Sequence, residues 1–129
     1  MSEPRWLVVP HLLAIHADQI RSHGGAVGLR DRSLLESALQ RPRNLLGYDA
    51  NADLAALAAA YGFGLARNHP FVDGNKRVAF QAMYLFLGLN GFRIDAPEGE
   101  VVTTILALAS DNLDESALAA WIRRHIAPR

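Results

Sequence analysis

The 129-residue sequence has no cysteine, and its 13 acidic residues balance its 13 basic ones, so it carries no net charge at neutral pH. Without cysteine the protein has no disulfide, no thiolate nucleophile and no cysteine-ligated zinc site, which is compatible with a reducing compartment. Without net charge it has no general attraction to nucleic acid or to anionic lipid. We therefore expect no direct nucleic-acid partner and no membrane partner.

Long apolar runs are also missing. The longest uncharged stretches, residues 54–66 and 78–92, are shorter than the roughly 20 apolar residues that a membrane-spanning helix needs. Residues 1–6 lack the charged start, apolar stretch and cleavage site of a signal peptide. We expect a cytoplasmic protein with a single domain, residues 1–129, in which the two uncharged stretches are buried helices.

Lysine is almost absent. Twelve of the 13 basic residues are arginine, and the one lysine is Lys76. An ammonium group is a compact point charge, whereas a guanidinium group is a wide planar fork. Two explanations of the single lysine are open. It is present by chance despite a compositional bias towards arginine, or it occupies a position where arginine cannot replace it.

The spacing of apolar residues predicts an all-α fold. The predicted helices cover residues 10–23, 31 or 33 to 41, 54–68, 75–90, 97–110 and 114–126. The third and fourth are apolar on almost every face, which is typical of core helices. A β-prone run at residues 6–9 and a short strand at residues 92–94 add at most a minor hairpin to this compact bundle.

The second helix has two candidate starts. Asp31 or Ser33 can cap it, and Ser33 with Glu36 has the spacing of a capping box. Pro42 is predicted to end it, because proline inside a helix removes a hydrogen bond and clashes with the preceding turn. The polar residues that follow, 42–51, then form a loop or a small β-hairpin.

Residues 69–77 read His-Pro-Phe-Val-Asp-Gly-Asn-Lys-Arg and lie where one predicted helix ends and the next begins. The unpaired N–H groups of a helix start attract anions, and Gly74 allows a ligand to approach the backbone closely. Asn75 is a favourable cap for the new helix. Lys76 and Arg77 oppose the helix dipole unless an anion binds beside them. This turn is therefore predicted to hold phosphate.

Two more side chains of the motif suggest a reaction. Asp73 can hold Mg²⁺, which usually takes one or two protein carboxylates together with phosphate oxygens and water. His69 can accept a proton from a hydroxyl group. Phe71, between them, is expected to enter the core and fix the loop. Singly, a histidine at a helix end or an aspartate before glycine is usually structural. Together these residues favour phosphoryl or nucleotidyl transfer.

The same nine residues resemble the signature of the Fic/Doc superfamily, and more narrowly that of the death-on-curing (Doc) toxins of type II toxin–antitoxin pairs. Chain length, the Gly24-Gly25 loop, residues 29–40 and the order of the helices are similar as well. The resemblance implies a compact Fic/Doc-type helical fold. It also implies a flap, assigned to residues 42–51, that aligns a target segment by strand-like pairing.

For the site, the resemblance implies that His69 is the base that activates a target hydroxyl and that Asp73 binds Mg²⁺. The residues implied to bind the phosphates of ATP are Arg67, Gly74, Asn75, Lys76 and Arg77. The implied target is a hydroxyl side chain of elongation factor Tu, whose modification stops translation. The implied partner is a Phd-like antitoxin whose C-terminal segment folds onto the toxin.

Two positions bear on which group is transferred. Adenylyl-transferring Fic proteins have glycine at the position of Lys76 and usually a second arginine at that of Phe80. This sequence differs from them at both positions, and Doc-type toxins differ in the same way. The resemblance therefore favours a Doc-like kinase, with a Fic-type adenylyltransferase as the alternative. A binding module that has lost catalysis is a third interpretation, against which the intact motif argues. Residues 33–37 lack the spacing of an internal inhibitory helix, so inhibition is expected to come from a partner.

Overall fold

A computed structural model describes residues 3–129; Met1 and Ser2, which begin the segment assessed for a signal peptide, lie outside the described residues. The elements are α1 (Val9–His23), α2 (Arg32–Tyr48), α3 (Leu54–Asn68), α4 (Asn75–Leu89), β1 (Phe92–Ile94), α5 (Glu98–Ala109), α6 (Glu115–His125) and β2 (Ile126–Pro128). The all-α prediction is confirmed, with only a small two-stranded sheet added to the helices. Among these residues no helix combines the length and the apolar character of a membrane span.

The centre of the fold is α3, which packs against α2, α4 and α6. Its fully buried side chains include Leu57, Tyr61 and Leu65, and a run of buried alanines at residues 58–60 leaves room for the neighbouring helices. Burial on most of its faces explains why its sequence shows little helical amphipathicity. The prediction that α3 and α4 form the core is confirmed.

The start of α2 is capped by Asp31, whose carboxylate accepts a hydrogen bond from the Leu34 N–H at 3.1 Å. The Ser33 hydroxyl instead donates to Asp31, at 2.6 Å. Of the two candidate caps, Asp31 is therefore confirmed and the capping box of Ser33 with Glu36 is wrong. Glu36 lies 3.9 Å from the guanidinium of Arg32 on the helix surface.

The end of α2 was predicted wrongly. The helix continues through Pro42 to Tyr48, so residues 42–51 form neither a β-hairpin nor the predicted flap. Pro42 lies on the buried face of α2, with Leu35, Ala38 and Leu39. An interior proline costs about 3 kcal/mol in an isolated helix. Burial of this face against α3 offsets that cost.

The small sheet joins the segment that follows α4 to the segment that follows α6. β1 pairs antiparallel with β2, and Ile94 lies opposite Ile126. The predicted strand at residues 92–94 is confirmed. The assignment of Ile126 to the last helix is wrong, because α6 ends at His125. The β-prone run at residues 6–9 forms no strand in the described chain, since α1 begins within it.

Asp53 joins the start of α3 to α6. Its carboxylate accepts the Ala56 N–H at 2.9 Å and forms two hydrogen bonds with the Arg123 guanidinium, at 2.6 and 2.9 Å. The bond from Arg123 holds the pKa of Asp53 below its ordinary value, against the opposing effect of partial burial. Asp114 caps α6 through Ala117 in the same way but forms no ion pair within residues 3–129.

We predict that Asp53→Ala lowers the free energy of unfolding at neutral pH by about 1–2 kcal/mol, because a cap and an ion pair are both lost. Asp114→Ala, the matched control, removes a cap alone and is expected to cost about 0.5–1 kcal/mol. The pKa of Asp53 is lower in the folded than in the unfolded protein. The carboxylate therefore contributes fully to the free energy of unfolding above about pH 4, and this contribution is lost as the pH falls through the folded pKa. Denaturant unfolding from neutral to acid pH measures both effects. Equal losses in the two variants, or a pH-independent difference between wild type and Asp53→Ala, would contradict this interpretation.

Candidate active site

The motif at residues 69–77 forms one wall of a cleft of about 520 Å³. The lining residues from the motif are His69, Val72, Asp73, Gly74, Asn75, Lys76 and Arg77. The opposite wall is apolar and comes from α5, through Val102, Ile105 and Leu106. The cleft therefore sets a charged surface against a hydrophobic one.

His69 ends α3 in a left-handed backbone conformation, with φ 48° and ψ 56°. Its N–H still donates to the Leu65 carbonyl, at 3.3 Å. Residues other than glycine rarely adopt this conformation, because the Cβ atom crowds the following carbonyl. The turn takes the chain out of the helix at His69 and leaves this residue exposed at the mouth of the cleft.

The helix start that follows is capped by Gly74, with φ 77°, so the prediction of Asn75 as the cap is wrong. The first hydrogen bond within α4 runs from the Val78 N–H to the Gly74 carbonyl. The N–H groups of Asn75, Lys76 and Arg77 precede that bond and have no partner within the helix. They supply the donors of the predicted phosphate cradle.

The Asn75 side chain is bonded to the backbone of Phe71 and closes the loop from within. Its Nδ2 donates to the Phe71 carbonyl and its Oδ1 accepts the Phe71 N–H, both at 3.0 Å. Asn75 is buried, and so is Phe71, as predicted. A phosphate contact by Asn75 is therefore a prediction for its backbone N–H, because the side-chain amide already has partners.

Lys76 and Arg77 both line the cleft and are exposed. Within residues 3–129 neither forms an ion pair with a carboxylate. Two cations at the positive end of a helix are repelled by the helix dipole. An anionic ligand would remove this repulsion, so both residues remain candidates for phosphate binding.

Asp73 is held as an anion. Its carboxylate accepts the Gly74 N–H at 2.8 Å and the Ala26 N–H at 3.3 Å, and these two bonds lower the pKa of Asp73. The positive charge of Arg77 lowers it further. Asp73 is the single carboxylate among the lining residues, and no cluster of three metal-binding side chains occurs in the described part of the chain. This donor set fits Mg²⁺ that takes its other ligands from phosphate and water.

Arg67 is not brought into the cleft. Its guanidinium lies 3.2 Å from the Asp111 carboxylate and 4.7 Å from the centre of the Phe63 ring. The structure therefore unites the other predicted site residues and leaves Arg67 on a neighbouring surface.

Sequence reasoning missed an extended stretch that we call the bracing segment, residues 26–31. It runs beside the motif, and its hydrogen bonds include Val72 N–H to Gly28 O at 3.0 Å and Arg30 N–H to Pro70 O at 2.7 Å. A side chain at neighbouring Gly25 would place its Cβ 2.6 Å from the Asp73 carboxylate, so only glycine allows this approach. The glycine-rich loop was the available signal.

His16 was also missed. It is buried in α1, its Nε2 lies 3.0 Å from the Asp73 carbonyl oxygen, and its ring stacks on Phe71 with centroids 4.1 Å apart. With Nε2 protonated, this ring nitrogen donates to the carbonyl and supports the backbone of the proposed metal ligand. The signal was a polar residue on the otherwise apolar stripe of α1.

We predict that His16→Phe lowers the free energy of unfolding by about 1–3 kcal/mol, because the aromatic stack is kept but the Asp73 carbonyl loses its donor. His23→Phe, an exposed position on the same helix, is the matched control and should change stability by no more than about 0.5 kcal/mol. Denaturant unfolding of both variants measures the difference. A His16→Phe protein as stable as wild type would show that the hydrogen bond does not support the loop.

Comparison with known proteins identifies the family of this chain. Residues 6–87 match the model of the Fic/DOC family. "Protein kinase doc" of Escherichia phage P1 is 33% identical over 114 residues, which cover 88% of this chain and 89% of that protein. "Toxin Doc" of Mycolicibacterium smegmatis is 46% identical over 74 residues, 57% of each chain. The chain therefore belongs to the Fic/DOC family and is similar to its Doc members.

Proposed function

We propose that this protein is the toxin of a toxin–antitoxin pair and transfers the γ-phosphate of ATP to a hydroxyl side chain of a target protein. The observation that carries the proposal is the cleft at the start of α4, which is lined by His69, the ionised Asp73, Lys76 and Arg77. Within residues 3–129 neither of these two cations forms an ion pair. The names of the two relatives, a protein kinase and a toxin, support the same reaction and role.

In the proposed reaction the phosphates lie against the first N–H groups of α4, with Lys76 and Arg77 beside them. His69 accepts the proton of the target hydroxyl as its oxygen bonds to the γ-phosphorus. The bond from the γ-phosphorus to the β–γ bridging oxygen breaks, and ADP leaves. Asp73 would hold Mg²⁺, which supplies positive charge to the phosphate oxygens when bound.

The proposed target is elongation factor Tu, by family resemblance, so that the cell stops translating. The bracing segment offers a means of alignment in place of residues 42–51, which are helical up to Tyr48. Gly28 and Arg30 direct their backbone groups to the motif, so Val27 and Leu29 present theirs to the other side. A target strand would pair with that outer edge.

The proposed regulator is a Phd-like antitoxin that covers the toxin with its C-terminal segment. The proposed location is the cytoplasm, where ATP and the target occur. Both follow from the family resemblance. The similarity to a protein named Toxin Doc supports the pairing with an antitoxin.

The alternative is transfer of AMP, the reaction of other Fic proteins. Two observations favour the kinase over it. Lys76 replaces a glycine of the AMP-transferring motif, and its side chain takes space in the cradle. Phe80, at the position of the second arginine, is buried in α4 with its ring edge-on to Tyr84, 4.7 Å between centroids. The cradle therefore lacks the extra cation of the adenylyl-transferring motif.

Incubation with a translation extract and ATP labelled at the α- or the γ-phosphate separates these reactions. We predict transfer of the γ label alone, and transfer of the α label would show that the protein is an adenylyltransferase. As a control, His69→Ala should lower transfer by about 10²- to 10⁴-fold, because the general base is lost. His23→Ala, an exposed histidine outside the cleft, should leave transfer unchanged. Absence of transfer by antitoxin-free wild type would favour a binding module.

We also predict that Lys76→Arg lowers kcat by roughly tenfold or more, equivalent to about 1.4 kcal/mol of transition-state binding. The reason is that a planar fork cannot occupy the position of a compact ammonium group in a cradle shaped for it. Steady-state kinetics measures the effect, and thermal unfolding should show no change because Lys76 is exposed. Near-normal kcat would mean that the single lysine has no special role.

A further inference from the structure

Arg30, in the bracing segment, holds three successive carbonyl groups at the end of α3. Its Nε donates to the His69 carbonyl at 2.7 Å and its Nη2 to the Asn68 carbonyl at 2.9 Å. Its backbone N–H donates to the Pro70 carbonyl at 2.7 Å. One residue therefore fixes the backbone on both sides of His69.

The position of the His69 ring depends on the backbone of this residue. Within residues 3–129 the imidazole has no hydrogen-bond partner, although the His69 N–H and carbonyl both have one. The left-handed turn, at φ 48° and ψ 56°, sets the direction of the His69 Cα–Cβ bond and so the side of the loop from which the ring projects. That turn is unfavourable for a residue with a Cβ atom and persists only where its surroundings hold it.

We propose that Arg30 is a positioning residue, which holds His69 in its left-handed turn and so directs the imidazole into the cleft. The inference rests on the proposed function, in which His69 is the general base. Arginine suits this role for two reasons. The last carbonyls of a helix lack partners within it and carry partial negative charge. A guanidinium fork reaches two adjacent carbonyls at once, whereas an ammonium group has no such planar arrangement.

Two observations separate this role from folding and from charge pairing. The bracing segment has other bonds to the motif, from Val72 to Gly28 and from Asp31 to Pro70, which do not use the Arg30 side chain. Arg30 also forms no ion pair within the described chain. The two side-chain bonds to residues 68 and 69 are thus the interactions that its replacement removes.

The test compares Arg30→Met, which keeps the apolar stem, with Arg30→Lys and with the control Arg32→Met. Arg32 is exposed, two residues further on, and contacts Glu36 at 3.9 Å. Steady-state kinetics gives kcat and the KM for ATP. The NMR signal of the His69 Cε1–H group reports the surroundings of the ring, and thermal unfolding reports the fold.

We expect Arg30→Met to lower kcat by about 10- to 100-fold, the range for a catalytic group displaced by up to about 1 Å. The KM for ATP should stay within about twofold, because phosphate binding is not altered. The His69 signal should shift. Arg30→Lys should recover part of kcat, and Arg32→Met should match wild type in every measurement.

Retained kcat in Arg30→Met overturns the proposal, and so does a lower kcat with an unchanged His69 signal. A raised KM for ATP at unchanged kcat would make Arg30 a substrate-binding residue instead. If Arg30→Met does not fold, the same readouts on Arg30→Lys decide. If wild type transfers no phosphate, the proposed function fails, whereas a His69 signal that shifts in Arg30→Met and not in Arg32→Met still supports the positioning role.

Discussion

The burial of Phe71 is the constraint on which the whole cleft depends. The loop between α3 and α4 presents the His69 imidazole and the Asp73 carboxylate to water. The cations Lys76 and Arg77 follow in the first turn of α4, and the loop before them is anchored in the core. Phe71 holds it from inside, since its ring is buried against His16 and its N–H and carbonyl are both bonded to the Asn75 amide. These inner contacts fix the loop, while His69 and Asp73 on its outer side stay exposed.

The electrostatics of the cleft oppose folding and favour a ligand. Lys76 and Arg77 lie at the positive end of α4, where a cation is unfavourable. The ionised Asp73 beside them offsets part of that repulsion, as the lowering of its pKa by Arg77 shows. The remaining positive charge attracts anions. The start of α4 is therefore less stable without a bound anion than with one.

Features that depend on neighbours in the chain were predictable. Asp31, Asp53 and Asp114 cap their helices through N–H groups three residues ahead, and such bonds follow from local spacing. The continuation of α2 past Pro42 was not predictable, because it depends on burial against α3. The position of Arg67 outside the cleft was equally unpredictable from the sequence, because its ion-pair partner, Asp111, lies far along the chain.

The sequence by itself determined the helical class and the nine residues of the motif, because helix periodicity, caps and a turn between two helices are all local properties of a chain. Only the tertiary structure decided what surrounds the motif. His16 and Arg30 lie 57 and 39 residues from Asp73 and His69, the partners that they hold. The physical reason is that hydrogen bonds between distant segments form only when a common core brings their backbones together, and that core depends on the packing of every helix.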